Sequence, residues 1–229
     1  MARRVEGWAM REIGIQYSAP MVRSVLGDLK LVTRRTVKGE IPVGAVRAVF
    51  EQRLVNRPPA WHWLDALGAT LGKPFRCPYG IAGDRLWVRE AWRTLKEHDE
   101  LPPRDVPAGA PVQFIASGDP LRAGLAGKFR QGMFMPRWAS RIDLEVTGVA
   151  CERLQDITPE QSILEGIEPF GLSRWRNYLS PPDYEVPIYL TQCEDPRDSY
   201  GSLWDSLNGE GAWASNPWVF AISFRRITP

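Results

Sequence analysis

A chain of 229 residues with 44% hydrophobic content is long enough to bury a core, and its formal charge of +2 excludes a uniformly polybasic or polyacidic protein. The charge is nevertheless uneven: residues 1–60 carry 11 Lys/Arg against 5 Asp/Glu, out of totals of 29 and 27, which points to a polyanionic partner near that third or to a solvated basic face. Cys77, Cys151 and Cys193 are odd in number and widely spaced, which argues against a disulfide framework and for a cytoplasmic location. No apolar run approaches the ~18 residues of a membrane span and no signal-peptide core follows the first basic residues, so no membrane partner is expected.

Ser18 followed by APMVRSVLGDL predicts a helix. Ser18 is placed to cap it, Pro20 suits the first turn, and Met21, Val22, Val25, Leu26 and Leu29 form one apolar stripe. VTRRTV then predicts a short strand. VGAVRAVFEQRLVNRPP predicts a second helix, with Val46, Val49, Phe50 and Leu54 on one face and Pro58 and Pro59 ending it. Leu86 and Val88 alternate with Trp87 and Arg89 in a half-buried strand. Residues 95–135, rich in Pro, Gly and charge, predict an insertion with one brief strand candidate, VQFIA.

RIDLEVTGV alternates Ile142, Leu144 and Val146 with polar residues, a strand with one wet face. Thr158 and Gln161 form a capping box with Pro159 at the first helical position, opening a helix that stops at Gly166. Residues 168–200 predict a second insertion. A short helix with Leu203, Trp204 and Leu207 together follows, and a closing strand has Phe220, Ile222 and Phe224 on one side. Short strands with a few short helices give an α+β class, with a mixed or barrel-like sheet in a single domain over residues 1–229.

Metal and cofactor chemistry have little to build on. His62 and His98 lie in unrelated segments, and neither a CxxC pair nor an HExxH motif occurs, so no metal and no cofactor are expected. The GxSxG elbow and the phosphate-binding loop are also missing. Lys30, Thr33, Arg34 and Arg35 remain. On a strand Thr33 and Arg35 share a face and Arg34 takes the other, while Lys30 at the helix exit folds back toward Thr33. Such a group can bind an anion, read a base edge or activate a nucleophile, and it also describes a solvated basic strand. Arg137 and Arg141 either line the same cleft or pair with Asp143 or Glu145. Trp92 and Trp138 either stack a base or pack in the core, and Trp204, Trp213 and Trp218 are assigned to packing.

Four blocks, SAPMVRSVLGDLKLVTRR, CPYGIAGDRLWVREAW, MPRWASRIDLEVTGVACERLQDITPEQSILEGI and LWDSLNGEGAWASNPWVFAISF, lie in order over a little under half of the chain. Together they resemble the phage-associated branch of the ASCH domain family. The resemblance implies a small PUA-like mixed β-barrel with flanking helices, two long insertions at about 95–135 and 168–200, and a nucleoside or RNA site in a cleft. A smaller member of the family, an N4-acetylcytidine amidohydrolase, carries a G-x-K-x-x-T-x-R motif and a glutamate on a later helix. Gly27, Lys30, Thr33 and Arg35 match that motif with one extra residue after the glycine, and Glu165 falls at the place of the glutamate.

What the resemblance then implies is metal-independent hydrolysis of an acyl amide on a modified pyrimidine, or recognition of such a base in RNA without chemistry. A metal-free ribonuclease is a further alternative. In the hydrolase Thr33 is the nucleophile or holds the water, Lys30 is the base, and Glu165 protonates the departing amine. Arg34, Arg35, Arg137, Trp138, Arg141 and Trp92 are candidates to bind the substrate. A neutral lysine at pH 7 requires its pKa to fall by ~3 from ~10.4. Burial and the neighbouring arginines push that way, whereas the end of the preceding helix favours the ammonium by ~0.3–1 kcal/mol. Glu165, ending its own helix, is expected to gain some acid character from the same dipole.

Overall fold

The computed structural model describes residues 9–51, 59–118, 124–171, 173–180 and 191–227. Its centre is a mixed five-stranded sheet in the order β1 (Glu12–Gln16), β6 (Arg85–Arg89), β9 (Asp143–Arg153), β12 (Trp218–Ile227) and β2 (Val32–Thr36). β1 runs parallel to β6, and the other neighbours are antiparallel. The ladder does not close into a barrel. One side chain links its two edge strands: Arg35 on β2 donates from Nη2 to the Gln16 carbonyl on β1 at 3.0 Å.

β12 is buried on both sides for most of its length. Phe220, Ile222 and Phe224 face one core, as their alternation predicts, together with Leu86, Val88, Leu144 and Val146. Val219 faces a second core with Leu154, Ile157, Tyr200 and Trp204. Tyr200 and Trp204 come from α3 (Pro196–Asn208), while Leu154, Ile157 and Ile167 flank α2 (Pro159–Leu164) on its two sides. A third, smaller cluster gathers Trp92, Val106, Met135 and Ala139, and beside it β7 (Trp92–Arg93) pairs with β8 (Gln113–Phe114), the only part of VQFIA that forms a strand.

The predicted second helix is corrected. Arg47–Glu51 is a strand, β3, paired antiparallel with β4 (Ala60–Leu64), which pairs in turn with β5 (Thr70–Phe75); the predicted Leu54 and the stop at Pro58 lie outside the described residues. Valines and a phenylalanine suit either reading at this length, and the cross-strand partner decides. Phe50 meets Trp61 at 5.2 Å between ring centroids, and Ala48 sits opposite Trp63. The same aromatic row closes this sheet over the first, with Trp63 edge-on to Trp218 at 4.9 Å and Trp61 near Phe220 at 6.0 Å.

Helix α1 (Ala19–Leu26) falls where predicted, but Ser18 makes no side-chain cap although its backbone is extended as a cap requires. Its exit is made by Asp28, at φ +54, and not by Gly27 at φ −86, and Arg226 holds the Asp28 carboxylate at 3.1 Å. Helix α3 starts at Pro196, with the Asp195 carboxylate accepting from the Arg197 N–H, so it takes the last residues of the predicted second insertion; short strands β10 (Trp175–Arg176) and β11 (Gln192–Cys193) pair before it. At α2 the capping box forms as predicted: the Thr158 hydroxyl accepts from the Gln161 N–H at 3.2 Å and the Gln161 side chain accepts from the Thr158 N–H at 3.1 Å. Thr158→Ala is expected to cost about 1 kcal/mol, read as a fall of roughly 2–4 °C in Tm. No helix among the described residues is long and apolar enough to cross a membrane.

Candidate functional site

The exit of α2 completes the free edge of β2. The Leu31 N–H donates to the Leu164 carbonyl at 2.8 Å, and Lys30 and Glu165 face each other as an antiparallel bridge. This apposition depends on Gly166, which turns the chain at φ +82; a Cβ there would lie 2.9 Å from the Cβ atoms of both Lys30 and Ser24. Gly166→Ala combines a strained backbone with that collision, so it is expected to lower stability by about 1–3 kcal/mol, measurable by denaturant unfolding.

Held this way, the Lys30 ammonium nitrogen lies 2.7 Å from Glu165 Oε2 and 2.7 Å from the Glu165 carbonyl, with both side chains almost wholly buried. Arg34 Nη1 takes the other carboxylate oxygen at 3.2 Å, and Glu165 also acts electrostatically on the buried Tyr200 phenol. The Glu165 side chain is therefore held between two cations and does not stand alone at a helix end. Burial pushes the Lys30 pKa down, and Arg35 and Arg34 act in the same direction, while Glu165 opposes them. Burial also raises the phenol pKa of Tyr200 and Tyr17, keeping both protonated. The Tyr17 ring lies 5.9 Å from the Lys30 nitrogen and 5.7 Å from the Arg35 guanidinium.

Lys30, Arg34, Arg35, Glu165 and Tyr200 border a cavity of about 410 Å³, within the range of small-molecule sites. Lys30, Thr33, Arg34, Arg35 and Glu165 all line it, so the structure brings together five of the residues singled out in the sequence. Strand parity holds: Thr33 sits opposite Ile222 and Arg35 opposite Phe220, on the first core's side, with Arg34 opposite Ala221 on the second. The separation of Arg34 from the cleft does not follow from that parity, and it is corrected. β2 is an edge strand and Glu165 lies against its edge, within reach of both faces.

Four predicted residues stand elsewhere. Arg137 pairs with Glu12 and with Asp143 at 2.9 Å, and Arg141 makes a bidentate pair with Glu90 at 2.9 and 3.0 Å while stacking on Phe114. Trp92 is fully buried and Trp138 packs edge-on to it, so packing wins over base stacking for this pair. None of the four lines the cavity. Conversely, Tyr79, Gln16, Tyr200 and the α3 side chains Leu203 and Leu207 line it without having been foreseen as site residues. The spacing of Tyr200, Leu203, Trp204 and Leu207 was readable as one helix face. Leu207, 53% exposed, shows that part of this face borders open space rather than core.

Among the described residues no group of three or more His, Cys, Asp or Glu side chains is placed to hold a metal ion. No protein-family model matches the chain, and no curated protein or solved structure matches it significantly.

Proposed function

We propose that the cavity is the active site of an amidohydrolase that removes an acyl group from N4 of a cytosine nucleoside or nucleotide, in a chain of the PUA-like, ASCH type. The observation that carries this reading is the buried Lys30–Glu165 pair, 2.7 Å apart, in the wall of a nucleoside-sized cavity that Thr33 and Arg35 also line. The link that Arg35 makes between the two edge strands supports the PUA-like comparison, as a barrel left open at its site.

In this mechanism the neutral form of Lys30, favoured by burial, takes a proton from a water held by Thr33. The hydroxide oxygen bonds to the acyl carbon, and Arg35 in the cavity wall stabilises the resulting oxyanion. The C–N4 bond then breaks, and the departing nitrogen recovers the proton from Lys30, with Glu165 holding the ammonium in line. The products are the cytosine nucleoside and a carboxylic acid, which gives its proton to solvent and leaves as the carboxylate. Glu165 thus works by orienting and stabilising the charged lysine, and the proton itself travels on Lys30.

The same cavity also fits recognition of a modified base in RNA without chemistry, given the basic character of residues 1–60. The test is incubation with N4-acetylcytidine in the presence of a chelator. Release of cytidine by the unmodified chain, lost in Thr33→Ala, supports the hydrolase. Saturable binding with no release, or RNA affinity that falls steeply with salt, supports the base reader instead.

A further inference from the structure

Arg34 is the most heavily engaged side chain in the site, and it stands outside the spacing that drew attention to Lys30, Thr33, Arg35 and Glu165. Its Nε donates to Glu152 Oε1 at 3.1 Å; its Nη2 donates to the same oxygen at 2.7 Å and to Gln161 Oε1 at 2.9 Å; its Nη1 reaches Glu165 at 3.2 Å. The side chain is wholly inaccessible to solvent. The guanidinium is planar and its donors have fixed directions, so holding three partners at once leaves it a single orientation. Each partner is itself anchored. Glu152 is on β9, Gln161 is the reciprocal member of the α2 capping box, and Glu165 is the C-terminal cap of the same helix.

We propose that Arg34 is a positioning residue: by bridging β9 to both ends of α2 it fixes the Glu165 carboxylate against Lys30, and it does not itself bind the substrate. One end of the bridge sets where the helix lies, and the other sets which carboxylate oxygen is left for the lysine. Glu165 Oε1 is occupied by Arg34, so Oε2 is the oxygen that meets Lys30. The groups facing Lys30 from the surrounding elements are Glu165 at the end of α2, Arg34 and Arg35 on β2, and the Tyr17 ring after β1. Tyr200 on α3 lines the same cavity and interacts electrostatically with Glu165.

The kinetic arm of the test rests on the hydrolase reading, while the titration arm does not. The Lys30 side-chain resonances are followed against pH by NMR in the unmodified chain and in R34M and R34K, and N4-acetylcytidine hydrolysis is measured in parallel. Removing one positive charge and freeing Glu165 for the lysine both favour the ammonium, so in R34M Lys30 is expected to lose its proton at a pH about one higher. R34K keeps a charge but cannot span three partners; kcat is expected to fall about tenfold or more with KM within about twofold. The proposal is overturned if R34M titrates like the unmodified chain, or if either variant raises KM while keeping kcat, the mark of a substrate contact. If R34M does not fold, R34K decides: unchanged kcat overturns the proposal. If the unmodified chain shows no hydrolysis, the hydrolase reading fails by itself, and the titration still decides whether Arg34 governs the Lys30–Glu165 pair.

Discussion

Glu165→Ala is expected to lower the unfolding free energy by about 3–5 kcal/mol near neutral pH, the usual cost of stripping one partner from a buried ion pair. For a domain of this size that corresponds to a drop of roughly 6–20 °C in Tm. The cost does not measure how much the pair stabilises the fold. It arises because the alanine leaves the Lys30 ammonium and one edge of Arg34 buried, with side-chain exposures of 1% and 0%, and without their counter-charge. Replacing both members, as in Lys30→Met with Glu165→Gln, is accordingly expected to recover part of the loss, because no uncompensated lysine remains. The pH dependence has a definite sign. A lysine whose folded pKa is lowered from 10.5 binds fewer protons folded than unfolded across the window between the two values, so its penalty is full below the folded value and is relieved as pH rises toward 10.5. Without Glu165 to oppose it, that lowering deepens. The destabilisation of Glu165→Ala should therefore shrink as pH rises, and equal losses at pH 6 and pH 9 in urea unfolding would show that the site is open to water.

Lys30→Met is expected to reduce kcat for amide hydrolysis by about 10²–10⁴, the usual contribution of a positioned base. Because Glu165 keeps Arg34 at 3.2 Å as a counter-charge and methionine fills similar volume, the fold should survive better than in Glu165→Ala, which separates chemistry from stability. Lys30→Arg makes the sharper test. It keeps a positive charge beside Glu165 but cannot lose its proton, so an anchoring role would be preserved while a base role would be abolished. In the unmodified chain kcat/KM should rise with pH along a limb that lies below the ordinary lysine value, since burial lowers the Lys30 pKa; that limb should vanish in both variants.

The sequence made some of this legible and hid the rest for physical reasons. Local rules worked where a residue acts on its own neighbours. The Thr158–Gln161 box, the stop at Gly166 and the alternation of β9 and β12 all hold because caps and strand faces are set within a few residues. The strand at Arg47–Glu51 was misread because its apolar spacing fits two periods, and only the distant Trp61 and Trp63 choose between them. For the site, Lys30, Thr33, Arg35 and Glu165 were visible through a family-like spacing, not through periodicity. Arg34 was visible as a charge, yet its role was not: strand parity tells which face a side chain leaves from, and says nothing about an acidic group that sits against the strand's edge. Tyr17 and Tyr200 carried no signal beyond being aromatic, since their places around the pair come from tertiary packing.

The most direct test of the central claim is simultaneous measurement of cytidine and acetate released from N4-acetylcytidine by the purified chain, with chelator present, beside Lys30→Met shown by circular dichroism to be folded. The account predicts equimolar products from the unmodified chain and turnover at least about a hundredfold slower from the variant. Equal rates in the two would contradict it, as would the absence of product from the unmodified chain at substrate concentrations that saturate the cavity.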